Sequence, residues 1–136
     1  MLQLSELLQY AQVCTRPDLA FVTGLLGRYQ SNLGIGYWRL AKKVLRYLQG
    51  IKGLMLMYRG SDSLHIEGYT DSDYARDDRK SMSGYIFTLA GGPISWKSSK
   101  QTVTTSSTMY VEFVACYEAI GQVNWLKKFM PGLKLV

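Results

Sequence analysis

The chain predicts an α/β fold: a three-stranded antiparallel meander, a long helix after it, and a helical segment before it. Three observations carry that prediction. Residues 64–71, Leu-His-Ile-Glu-Gly-Tyr-Thr-Asp, alternate with a period of two, the pattern of a half-buried strand. Residues 85–89 and 94–96 are short β-prone runs, joined by Ala90, Gly91, Gly92 and Pro93, whose small size and permitted or preset φ suit a hairpin turn. Residues 109–130 read as one helix, with Ser107 and Thr108 as cap residues before it and Pro131-Gly132 to stop it. The three strands are expected over 64–71, 84–89 and 93–97, with the helix packed on one face.

The segment before the meander is helical by spacing. Leu4, Leu7, Leu8 and Ala11 recur at helical intervals over residues 2–14. Pro17 suits the first turn of a second helix and Asp18 complements its positive end; this helix runs to about residue 30 with Leu19, Val22, Leu26 and Tyr29 inward. Residues 31–36 have turn chemistry. A third helix over 37–49 buries Trp38, Ala41, Leu45 and Leu48, and Gly50 and Gly53 end it. A short strand is expected at 54–58, and residues 59–63 turn the chain back.

The composition is that of a folded protein. Of 136 residues, 47% are hydrophobic and 19% charged, enough to build a core. No apolar run approaches the ~20 residues of a membrane span. The first residues carry Glu6 and no basic cluster, unlike a signal peptide, so the chain reads as intracellular, cytoplasmic or nuclear. Cys14 and Cys116 have no zinc spacing and are expected to be buried thiols. The net charge of +6 and pI near 9.4 favour a polyanionic partner.

Two clusters carry chemistry. The third helix bears Arg39, Lys42, Lys43 and Arg46 on one side, either a solvated face or a contact to a phosphate backbone. The first strand runs into Asp71, Asp73, Asp77 and Asp78, followed by Arg79 and Lys80. Glu112 has Ala115, Cys116, Ala119 and Ile120 as its helical neighbours, an apolar or small-residue face where a carboxylate needs a partner or a purpose. A strand-end acid and a helix acid can share Mg²⁺, which takes hard oxygen ligands and keeps several waters. The alternative for Asp71 and Asp73 is a solvated turn. His65 is the lone histidine, on a strand pattern, without a nucleophile motif beside it.

The landmarks come in a recognisable order. Cys14-Thr15-Arg16-Pro17-Asp18 is followed by Trp38 through Arg46-Tyr47-Leu48, then Gly68-Tyr69-Thr70-Asp71-Ser72-Asp73-Tyr74-Ala75. Asp78-Arg79-Lys80-Ser81, Ser83-Gly84-Tyr85, Ile94-Ser95-Trp96-Lys97-Ser98 and Ser106-Ser107-Thr108 leading to Glu112 complete the set. On these residues the chain resembles copia-type LTR retrotransposon polyproteins, from the end of reverse transcriptase into ribonuclease H, most of all copies found in plant genomes. The resemblance implies a helical reverse-transcriptase C-terminal or connection segment over 1–60 and a truncated ribonuclease H-like domain over 61–136. It implies cleavage of RNA in RNA–DNA hybrids with Mg²⁺, with Asp71 and Glu112 as catalytic and metal-binding carboxylates that converge. Nucleic-acid contacts fall to Arg39, Lys42, Lys43, Arg46, Arg79 and Lys80. The family's other two carboxylates have no counterpart here, since no Asp or Glu follows Glu118. The chain is therefore expected to be a catalytically inactive remnant, or else a co-opted, non-catalytic protein-interaction module. It departs from the family at Arg76, where glycine is usual, at Val111, where a small residue is usual, and over residues 1–9.

Overall fold

The computed structural model describes residues 2–29, 34–60, 64–75, 80–104 and 106–133. The chain divides into two compact units, Met1–Leu56 and Met57–Val136.

The first unit is helical: α1 (Leu2–Cys14), a 3₁₀ turn (Pro17–Leu19), α2 (Ala20–Arg28) and α3 (Ile35–Gly50). Its core is Leu8, Leu19, Leu26, Tyr37, Ala41 and Val44, with Leu4, Ala11, Val22, Leu40 and Leu48 packed against it. Pro17 starts the 3₁₀ turn, as its missing N–H and preset φ allow. Thr23 lies within the buried face of α2, and its hydroxyl donates to the Leu19 and Ala20 carbonyls at 2.9 and 3.0 Å. The buried stripe of α3 differs from the expected one. It is Tyr37, Ala41 and Val44, while Trp38 and Leu45 are 43% and 46% exposed. The spacing 37, 41, 44, 48 is as helical as 38, 41, 45, 48; the helix is rotated so that the Tyr37 ring, 1% exposed, fills the core. Tyr29, expected inward, is also exposed.

The second unit is a three-stranded sheet with α4 on it. The strands β1 (Glu67–Asp73), β2 (Met82–Leu89) and β3 (Gly92–Lys100) pair antiparallel in the order β1-β2-β3. This is the expected meander, with β2 and β3 longer than the expected 84–89 and 93–97. The hairpin between β2 and β3 turns at Ala90 and Gly91, both with positive φ of 53° and 77°, the two-residue arrangement whose twist matches the flanking strands. Pro93 lies inside β3 opposite Thr88 rather than in the turn. Helix α4 (Thr108–Phe129) follows Ser107 in extended conformation, whose carbonyl accepts the Val111 N–H at 3.2 Å, and a 3₁₀ turn (Met130–Leu133) closes it. The core here is Phe87, Ala119 and Leu126, with Tyr85, Ile94 and Val123 around it.

Three further expectations are corrected. Residues 54–58 form no strand; among the described residues the hydrogen bonds that tie this stretch to the sheet are Arg59 N–H to Ala90 O (2.7 Å) and Tyr58 hydroxyl to Pro93 O (2.7 Å), too few for a ladder, while Met57 O and the Tyr58 ring lie against Gly92. The first strand begins at Glu67, not at residue 64, and is exposed along most of its length because α4 covers it only in part. Cys14 and Cys116 are both exposed: the first ends α1 on its solvent side, the second borders a groove.

Candidate carboxylate site

Register decides which side chains of the sheet meet α4. Thr70 pairs with Tyr85 and Gly68 with Phe87, and these residues, with Ile66, face the helix. Between them and Cys116, Ala119, Ile120, Val123, Leu126 and Lys127 of α4 runs an apolar groove of about 440 Å³. The Thr70 hydroxyl and the Cys116 thiol lie 3.7 Å apart. At the other end of α4, the Tyr74 hydroxyl donates to Ser106 O at 3.3 Å, so the helix runs antiparallel to β1 and its first turns lie by the end of that strand.

Asp71 and Glu112 thus belong to the same end of the unit. Glu112 is one turn before Cys116 and exposed; its neighbours Ala115 and Ala119 are buried, whereas Cys116 and Ile120 are not, so it stands on the rim of the apolar face. Asp71 follows Thr70, and strand alternation carries its side chain to the other face of the sheet, so the expected convergence of Asp71 with Glu112 is corrected: the register that brings Thr70 to α4 turns Asp71 away from it. Its Oδ1 accepts the N–H of Ser72 at 2.8 Å. No hydrogen bond links the two carboxylates, and among the described residues no three His, Cys, Asp or Glu side chains come together as metal ligands. The donor chemistry fits Mg²⁺, since both groups are accessible hard-oxygen ligands, but it fits as two carboxylates and not as a cage. Asp73 is exposed at the end of β1; Asp77, Asp78 and Arg79 lie outside the described residues, and Lys80 is exposed. His65 precedes β1 and is exposed. Arg39, Lys42, Lys43 and Arg46 are all exposed on α3.

Polar contacts that spacing did not reveal hold α4 to the sheet. The buried Ser83 hydroxyl donates to Glu118 Oε2 at 2.6 Å, and Gln122 Nε2 donates to Ser95 Oγ at 2.9 Å. The signal was available: Glu118 and Gln122 stand seven and eleven residues after the buried Val111, in phase with its inward stripe. Burial, and then the charge of Glu118, push the Tyr85 hydroxyl above its ordinary pKa. Gln101 is fully buried; its N–H donates to Ser81 O and its Nε2 to Val111 O, each at 2.8 Å, tying the end of β3 to the start of α4. The buried Val111, at a position expected to be small, packs within this junction. In the first unit Arg16 grips Asp18 through two parallel bonds, Nε to Oδ1 at 2.9 Å and Nη2 to Oδ2 at 2.6 Å, and the Tyr47 hydroxyl donates to Oδ2 at 2.8 Å. The Arg16 bond, more than that of Tyr47, holds the Asp18 carboxyl below its ordinary pKa.

Comparison with known proteins gives a consistent set of relatives. The chain is 45% identical over 130 residues to the retrovirus-related Pol polyprotein from transposon TNT 1-94 of Nicotiana tabacum, covering 94% of this chain and 10% of that protein. It is 33% identical over 121 residues to the Pol polyprotein from transposon RE2 of Arabidopsis thaliana, covering 88% and 8%. It is also 39% identical over 121 residues to the secreted RxLR effector protein 161 of Plasmopara viticola, covering 88% of this chain and 85% of that one. The chain therefore spans about a tenth of the length of the Pol polyproteins it matches. No protein-family model and no solved structure matches it.

Proposed function

Since this chain belongs to the copia-type retrotransposon Pol polyprotein family, we propose that its second unit, Met57–Val136, is ribonuclease H-like and that the 136-residue chain by itself does not cleave. In this reading Asp71 and Glu112 are carboxylates for Mg²⁺ at the end of the unit that meets an RNA–DNA hybrid, but with Asp71 directed away from α4 the two do not close on one ion in this chain. The observation that carries it is the antiparallel run of α4 against β1, which brings an exposed strand-end Asp and an exposed early-helix Glu to one end of the sheet. When bound, Mg²⁺ supplies charge that stabilises the attacking and leaving oxygens of phosphodiester hydrolysis. The residues here hold and orient: Ser72 N–H fixes the Asp71 carboxylate, and the Ser83–Glu118 and Gln101–Val111 bonds fix α4, hence Glu112. Two carboxylates fall short of what two-metal hydrolysis needs, and each tenfold of rate lost equals about 1.4 kcal/mol of barrier.

The test is Mg²⁺-dependent cleavage of an RNA–DNA hybrid, with Asp71→Asn beside the parent, combined with Mn²⁺ broadening of backbone amide resonances. No cleavage is expected from either protein, with broadening around Ser72 and Phe113 in the parent and none in the variant. Cleavage by the parent alone would overturn the inactivity and keep the site. Broadening centred elsewhere would overturn the site.

One observation favours a second reading, a non-catalytic interaction module. The relative named a secreted effector matches over 85% of its own length, so a protein little longer than the matched segment carries a sequence 39% identical to this one under a non-polymerase name. Hybrid binding that is absent at low salt, in a folded chain, would favour that reading.

A further inference from the structure

The sheet of the second unit is open along β1. That strand pairs with β2 on one edge, and no strand among the described residues pairs with the other. Such an edge presents a row of backbone N–H and C=O groups to any extended chain that comes alongside. The groove beside it is apolar: Ile66, Gly68 and Thr70 line its floor, and Cys116, Ile120 and Val123 its helical wall. Ile120 is 54% exposed there and Ile66 38%. From Thr70 back to Gly68 the strand spans about 6.6 Å, the rise of about four helical residues, so Ile120 stands level with Gly68 as Cys116 does with Thr70.

We propose that this edge and groove receive a second copy of the chain, with β1 pairing antiparallel to the partner's β1 about a twofold axis at Gly68. Charge complementarity argues for that occupant and that register. In a symmetric antiparallel pair centred on one residue, positions equally far before and after the centre lie opposite each other, with side chains on one face. The seven residues of β1 include three acids, Glu67, Asp71 and Asp73. Centred on residue 67, 71 or 73, an acid faces its own copy. Centred on 69, 70 or 72, Glu67 meets Asp71, Glu67 meets Asp73, or Asp71 meets Asp73. Within β1, Gly68 alone as centre puts no acid opposite an acid. There Asp71 faces the partner's His65, whose imidazole N–H can donate to it. Glu67 faces the partner's Tyr69, a phenol that already donates to Glu67 within its own strand at 3.0 Å. The same register sets Ile66 beside the partner's Thr70 on the groove side and brings Ile120 of each copy toward the axis. Each copy spends its open edge once, so assembly closes at two. The inference rests on the strand edge and stands apart from the ribonuclease H-like reading.

The experiment is sedimentation velocity of the full 136-residue chain over a concentration series, in buffer free of divalent cations, with circular dichroism to confirm folding. The parent is expected to sediment as a dimer that dissociates on dilution. His65→Asp sets acid against acid twice in each dimer and is expected to weaken association at least about tenfold. His65→Asp/Asp71→His exchanges the two partners and is expected to restore it, which a local disturbance from either substitution would not do. Ile120→Asp, at an exposed position beside the axis, is expected to leave the chain monomeric; if that variant is unfolded, the exchange of residues 65 and 71 carries the test. A parent still monomeric at millimolar concentration, its groove left to some other occupant, would overturn the proposal. So would a dimer that either His65→Asp or a folded Ile120→Asp leaves intact, an exchange variant no tighter than His65→Asp, or assembly beyond two copies.

Discussion

Replacing Gly68 by alanine probes the closest approach between β1 and β2. Gly68 pairs with Phe87, whose ring lies across the glycine, so a Cβ at position 68 meets Cδ1 at 2.8 Å and overlaps Cε1. Phe87 is 4% exposed and packs with Ala119 and Leu126, with Tyr85 at a centroid distance of 5.5 Å, so making room for the methyl means pushing the ring out of this packing toward the groove it lines. Overpacking of this kind costs about 1–3 kcal/mol. The alanine recovers about 0.4–1 kcal/mol by restricting the unfolded chain, which leaves a net loss of about 1–2 kcal/mol. With a urea m-value near 1 kcal/mol/M for a small unit, the midpoint should fall by about 1–2 M. The assay is urea unfolding in a Trp38→Phe background, where the remaining tryptophans, Trp96 and Trp125, both report on the second unit. Phe87→Leu removes the overlapping edge of the ring, so the double variant Gly68→Ala/Phe87→Leu should be more stable than the sum of its singles by about 1 kcal/mol. A midpoint raised by Gly68→Ala, or additivity within about 0.3 kcal/mol, would refute the packing argument.

Two more expectations follow from the polar contacts. Ser83→Ala removes the hydroxyl that donates to the half-buried Glu118 carboxylate and should cost about 1–2 kcal/mol in the same unfolding assay, while Glu118→Gln, which can still accept that bond, should cost less and should also lower the Tyr85 pKa toward its ordinary value in an ultraviolet titration. In the first unit, Asp18 has a folded pKa below its unfolded value near 3.9, so its contribution is present above that pH and is lost as pH falls through the folded value. Being a surface pair it is worth at most about 1 kcal/mol, and the stability gap between parent and Asp18→Asn should therefore be present at neutral pH and close under strong acid, as read by helical circular dichroism.

Short-range pattern alone determined much of this protein. The Ala90–Gly91 turn, the β-prone runs around it, the proline-initiated turn at Pro17 and the long final helix depend on φ preferences and on periods of 2 and 3.6 residues. Neighbours in sequence set those features before any core exists. The order of residues from Cys14 to Glu112 also identified the family without any geometry, and the cationic face of α3 was visible because it needs no partner to define it.

Tertiary structure decided what depends on a surface to pack against. The buried stripe of α3 could have run through Trp38 and Leu45 or through Tyr37 and Val44, and only the shape of the α1–α2 layer selects the second. Cys14 and Cys116 carry no periodic signal strong enough to say that they face outward. Residues 54–58 have strand propensity, but among the described residues the backbone bond to the sheet comes from Arg59 just beyond them, and a strand exists only where a partner completes its ladder. The Ser83–Glu118 bond joins residues thirty-five apart, and strand alternation sends Asp71 to the face away from α4 while Thr70 meets it. A carboxylate's residue type is written in the sequence, whereas the groups it faces are set by register and by the helix laid across the sheet.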